Sequence, residues 1–160
     1  MLAELLPGAQ HLQNLHPLVV HFPLGLLPGA ALLYLMAWST GRQSLAWVAF
    51  WLLILGTLGA AVTAATGLYA ESGVMVDPSV RAALLEPHER FMLGTLALGM
   101  LLTGWAIRAR PMPHRGRLAF LLLLLALLAG MTKGADYGGR MVYDYNAGGN
   151  ACGQPIEFNR

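Results

Sequence analysis

Apolar positions in this chain neither alternate nor recur every third or fourth residue. They run in four long blocks parted by short polar stretches, roughly Pro17–Trp38, Leu45–Tyr69, Pro87–Ile107 and Leu118–Lys133. A helix needs about 20 mostly apolar residues to cross a bilayer. The first three blocks reach that length, and the fourth does if it continues toward Tyr137. The pattern predicts an all-α fold, an integral membrane four-helix bundle over residues 1–149, followed by a polar tail over 150–160. No repeat is evident between the two hydrophobic halves. The N-terminus does not read as a signal peptide, because its only early charge is Glu4 and no basic stretch precedes the apolar run.

Prolines and glycines punctuate these blocks. Pro17 and Pro87 each suit a first helical position, which would put His16 and His88 at helix N-termini. Pro23 and Pro28 fall inside the first block, where each removes a backbone hydrogen bond and kinks a helix. Gly56, Ala60 and Ala64 recur at four-residue spacing, the small-residue face on which membrane helices approach closely. Such a face also leaves room for a flat macrocycle. Gly138-Gly139 is expected to end the fourth helix.

Composition agrees with the pattern. Only 11% of the 160 residues are charged and 56% are hydrophobic, against about 25% charged in soluble domains. Basic residues are too few and too scattered for a nucleic-acid surface. There is no phosphate-binding loop, no zinc-finger spacing and no Cys-x-x-Cys-His haem-attachment motif. Cys152 is the only cysteine, so no intrachain disulfide forms. No nucleophile–base pair or paired carboxylates are evident, and the chain does not read as an enzyme. Arg108, Arg110, Arg115 and Arg117 crowd the loop between blocks three and four, and Arg42 lies between one and two. The positive-inside rule places these loops in the cytoplasm. Both termini are then extracytoplasmic, in a multi-pass protein of a bacterial inner membrane.

With that orientation His16, His21 and His88 share the outer side, and His114 is a solvated inner loop residue. Ionisable groups at membrane depth are costly and are functional candidates by default. His21 lies about 140° round a helix from His16 at about 100° per residue, so the two do not readily hold one ion. A pair from two helices, His21 with His88, is easier to build. Arg140 and Arg90 are candidates to meet anionic groups such as haem propionates through charge-assisted hydrogen bonds. Tyr137, Tyr143 and Tyr145 suit an interfacial belt.

Four strings occur in order: His16-Pro-Leu-Val-Val-His-Phe-Pro-Leu-Gly25, Gly67-Leu68, His88, and Gly138-Gly-Arg-Met-Val-Tyr143. Together they resemble a family of bacterial four-helix membrane proteins defined as a domain of unknown function. Its signatures are a His-Pro-x-x-x-His-Phe-Pro opening and a Gly-Gly-x-x-Val-Tyr close, and the resemblance covers the chain to about Gly149. It implies an association with respiratory or photosynthetic redox proteins, since members occur near or fused to Rieske-type or c-type cytochrome modules. Members often carry an aspartate just after the Gly-Leu, where this chain has Tyr69-Ala70-Glu71.

The expectation is a subunit holding b-type haem through His21 and His88. His16 would be a supporting or alternative ligand, and Arg140 or Arg90 would meet the propionates. Its partners would be the lipid bilayer and an extracytoplasmic cytochrome or membrane redox complex, with a homo-oligomer also compatible. Two other readings stand beside it: a copper or zinc site from His16, His21 and His88, with Met92 as a further candidate ligand, and an accessory or structural subunit of a larger membrane complex.

Overall fold

A computed structural model describes residues 15–71 and 76–147. Glu4, Cys152 and the tail from residue 150 lie outside the described residues. Four helices carry the chain: α1 (His16–Thr40), α2 (Gln43–Glu71), α3 (Pro78–Ala109) and α4 (Arg117–Tyr145). α1 packs most extensively on α2 and α3 on α4, while α2 also touches α3 and α1 touches α4. The helices therefore follow one another round a square, with α1 and α3 on one diagonal. The described chain starts and ends at the same end of the bundle, here the histidine end. The short connections 41–42 and 110–116 form the opposite loop end.

No more than 33% of the most apolar stretch of any helix is buried inside the bundle. Leu32, Trp51, Leu58, Leu101 and Leu122 point outward. An apolar exterior of this extent is the face of helices that lie in lipid.

Three boundaries differ from the sequence expectation. α3 opens at Pro78, not at Pro87. Asp77 caps it, its carboxylate accepting from the Ser79 N–H at 2.8 Å. The Ser79 hydroxyl and N–H hold the Asp77 carboxyl below its usual range. Pro87 thus lies inside α3, and the turn over Arg81–Leu85 widens to π geometry just before it. That widening absorbs the amide hydrogen bond that proline cannot make. His88 is consequently not at a helix N-terminus. α4 runs unbroken through Gly138-Gly139 to Tyr145, because glycines in a membrane helix serve close packing as readily as termination. α1 is interrupted at Val20, three residues before Pro23, and continues through Pro28.

The main hydrophobic core fills the loop end and the middle. Tyr34, Leu27, Leu53, Leu102, Phe120, Leu124 and Leu127 are almost wholly buried there. Tyr34 stacks edge-on against Phe120 at 5.1 Å, and Trp105 does the same at 5.6 Å. The Tyr34 hydroxyl donates to the Pro111 carbonyl at 2.8 Å, tying α1 to the α3–α4 loop. Further up, the Thr57 and Thr103 hydroxyls bond at 2.9 Å and bridge α2 to α3. Tyr34→Phe leaves the Pro111 carbonyl buried without its donor. It should lower unfolding free energy by about 1–2 kcal/mol, read as an earlier transition in a denaturant titration of the protein in mild detergent.

Candidate functional site

At the histidine end the polar contacts within the bundle begin with one proline and two threonines. Pro23 cannot donate to the carbonyl four residues back, Val19. The Thr63 hydroxyl of α2 donates to that carbonyl instead, at 3.3 Å. The carbonyl of the same Thr63 accepts from His16 Nδ1 at 3.0 Å, and the Thr66 hydroxyl also approaches His16 Nδ1 at 3.5 Å. The imidazole lies flat against Gly67, where a Cβ would come within 3.0 Å of its Cε1 and Nδ1.

The second hairpin repeats the arrangement some seventy residues later. His88 Nδ1 on α3 donates to the Gly134 carbonyl on α4 at 2.7 Å. Its ring lies against Gly138, where a Cβ would meet its Cε1 at 3.0 Å and its Nδ1 at 3.1 Å. In each hairpin, then, a histidine near the start of the first helix donates to a carbonyl of the second. The ring then packs on a glycine four residues further along. The two imidazoles sit on diagonal helices at the same end of the bundle. A carbonyl can only accept, so Nδ1 carries a proton in both rings, and in a neutral ring the lone pair is on Nε2. Histidines that ligate metals carry this kind of Nδ1–H bond to a backbone carbonyl, which sets tautomer and orientation.

Glycines make the approach possible. Down α4, Gly138, Gly134 and Gly130 face His88, Met92 and Thr95 in turn. Down α2, Gly67, Gly59 and Gly56 face His16, Phe22 with Pro23, and Leu27. The small residues on α2 thus serve close packing against α1. The Thr95 hydroxyl, seven residues below His88 on the same face of α3, is buried and has no hydrogen-bond partner among the described residues. On α3 and α4 a small second core of Val80, Leu84 and Met141 lies at this end, but on α1 and α2 buried hydrophobic residues thin out. On α1 none lies closer to the histidine end than Leu27, and on α2 none beyond Leu53.

The other sequence candidates lie elsewhere. His21 is exposed and its side chain makes no hydrogen bond among the described residues, whereas His16 and His88 are each held by a carbonyl of the neighbouring helix at the same end of the bundle. Arg90 and Arg140 sit on exposed faces, paired along their own helices with Glu86 at 3.4 Å and Asp144 at 3.6 Å. Glu71 takes an ion pair with Arg81, closing the turn between α2 and α3. Among the described residues no three His, Cys, Asp or Glu side chains gather. Thr63, Gly67, Gly134 and Thr95 carried no chemical signal in the sequence. Gly67 and Gly138 stood out only within the strings Gly67-Leu68 and Gly138-Gly139.

A family model described as predicted membrane protein (DUF2231) matches residues 12–151. No curated protein and no solved structure matches the chain.

The tautomer assignment is directly measurable. In protein labelled with 15N-histidine, the ring shifts of His16 and His88 should report the Nδ1–H form. Gly67→Leu and Gly138→Leu, by pushing the rings off their carbonyls, should each abolish that signature for the facing histidine alone.

Proposed function

The chain belongs to the DUF2231 family of predicted membrane proteins, and on that premise we propose that it is a haem-binding electron-transfer subunit of a membrane redox complex. In this reading His16 and His88 would hold the group, one imidazole nitrogen each, from diagonal helices at one end of the bundle. The observation that carries it is the pair of matched Nδ1–H bonds to the Thr63 and Gly134 carbonyls. Each aims one imidazole with its lone pair on the far nitrogen.

The residues around the pair fit such a group. Gly67 and Gly138 leave room for the rings, and the buried Thr95 hydroxyl below His88 has no partner among the described residues. Two protein nitrogens suffice for haem, which brings four of its own. A closed zinc site wants four protein donors, and among the described residues no third His, Cys, Asp or Glu gathers beside the two histidines. This donor set therefore favours b-type haem over zinc. Haem held by two imidazoles would supply reversible one-electron chemistry rather than substrate activation. Arg90 and Arg140 remain available to propionates, because exposed pairs one turn apart are worth only about 0.3–0.5 kcal/mol. Electrons would pass to or from an extracytoplasmic cytochrome or a membrane redox complex, with the histidine end facing outward.

One observation favours a second reading. The same two hydrogen bonds clamp the open ends of both hairpins, which a purely structural accessory subunit would also need. Visible spectra of protein expressed with haem supplied separate the two. The haem reading expects a Soret band that sharpens and shifts on dithionite reduction. It is lost in His16→Ala and in His88→Ala and retained in His21→Ala and His114→Ala. Colourless wild-type protein that co-purifies with a stoichiometric partner would establish the accessory reading instead.

A further inference from the structure

The loop end of the bundle carries a charge that nothing in the described structure neutralises. Arg42, Arg108, Arg110, Arg115 and Arg117 all lie there. The acidic residues Glu71, Asp77, Glu86, Glu89, Asp136 and Asp144 lie toward the histidine end. None of the ion pairs among the described residues uses any of the five arginines. Between the α1–α2 turn and the α3–α4 loop is a cavity of about 70 Å³ lined by Arg42, Gln43, His114 and Arg117, with Ala37 and Pro111 among its apolar walls. That is several times the roughly 10–15 Å³ that a single water needs, so the cavity admits a small polar group.

The cavity is built on a fixed frame. Pro111 and Pro113 are fully buried, and the Tyr34 hydroxyl holds the Pro111 carbonyl. Arg117 donates through Nε to the Pro113 carbonyl at 3.4 Å and through a terminal nitrogen to His114 Nδ1 at 3.1 Å. Since guanidinium cannot accept, Nδ1 is the acceptor and His114 carries its proton on Nε2, a further donor. α2 and α4 both begin beside the cavity, and their N-terminal dipoles add to the positive field.

We propose that Arg42, His114 and Arg117 bind a phosphate group, that of an anionic phospholipid seated where the spanning helices end. Basic pockets at this level meet lipid headgroups. This site is independent of anything held at the histidine end.

The test is thermal unfolding of the full chain in neutral detergent, titrated with phosphatidylglycerol, phosphatidylcholine or inorganic phosphate. Phosphatidylglycerol should raise the midpoint in proportion to its concentration, and phosphatidylcholine should not. Arg42→Gln with Arg117→Gln should need about thirtyfold more phosphatidylglycerol for the same rise, at about 1 kcal/mol per arginine. Arg108→Gln with Arg115→Gln removes equal charge outside the cavity and should leave the titration nearly unchanged. If the first pair fails to fold, Arg42→Gln alone, on an exposed turn, should show about a fivefold loss. Protection by inorganic phosphate without protection by the lipid would keep the site and assign it a soluble phosphate. Protection by neither, equal protection by phosphatidylcholine, or equal losses in the two double variants would overturn the proposal.

Discussion

A carbonyl inside a membrane helix is normally committed to the amide four residues on. For it to accept from an imidazole on a second helix, the two backbones must come close enough for the ring to reach it. That constraint organises the histidine end. Gly67 and Gly138 exist as contact surfaces because a Cβ at either would meet the ring at about 3.0 Å. Thr63 joins the two faces of the first hairpin, its hydroxyl serving the carbonyl that Pro23 leaves open and its carbonyl serving His16. Water is scarce at this depth, so an unserved carbonyl or imidazole would be costly. The ring position, the tautomer and the helix spacing are therefore one solution rather than three.

The second hairpin reaches the same solution by different means. It has no threonine at the position of Thr63, and Gly134 supplies the carbonyl. Its proline precedes the histidine, where the first hairpin's follows it, and the turn before Pro87 widens to accommodate it. Little sequence is shared beyond a histidine beside a proline and a glycine on the opposing helix. This is why the halves show no repeat when read as a string yet repeat as structure. The recurring quantity is a contact between helices, which leaves only a sparse trace along either one.

Legibility followed the same line. The four blocks marked the four helices because lipid requires about 20 apolar residues of each, and the small residues of α2 announced close packing. Boundaries were harder. Asp77 with Ser79 is a short-range cap, weaker as a pattern than the conspicuous Pro87, yet it sets where α3 begins. Gly138-Gly139 looks like a stop in water and acts as a contact surface in a membrane helix. The choice between His16 and His21 was beyond periodicity altogether. A uniform helix relates them by about 140°, but α1 is interrupted at Val20, between the two. Which one turns inward depends on Thr63, a residue forty-odd positions away.

The two ends of the bundle divide the physical work. Tyr34, Phe120, Trp105 and the buried prolines form the core toward the loop end, and the core thins on α1 and α2 toward the histidines. A bundle held evenly along its length would leave no low-cost place for a rigid planar group or for a change in ring position. Here most of the buried apolar contact lies away from His16 and His88. Displacing either ring therefore strains one hydrogen bond and one glycine contact while leaving the main core intact. The energetic separation lets four short-looped helices remain stable while their open end stays polar, closely spaced and adjustable.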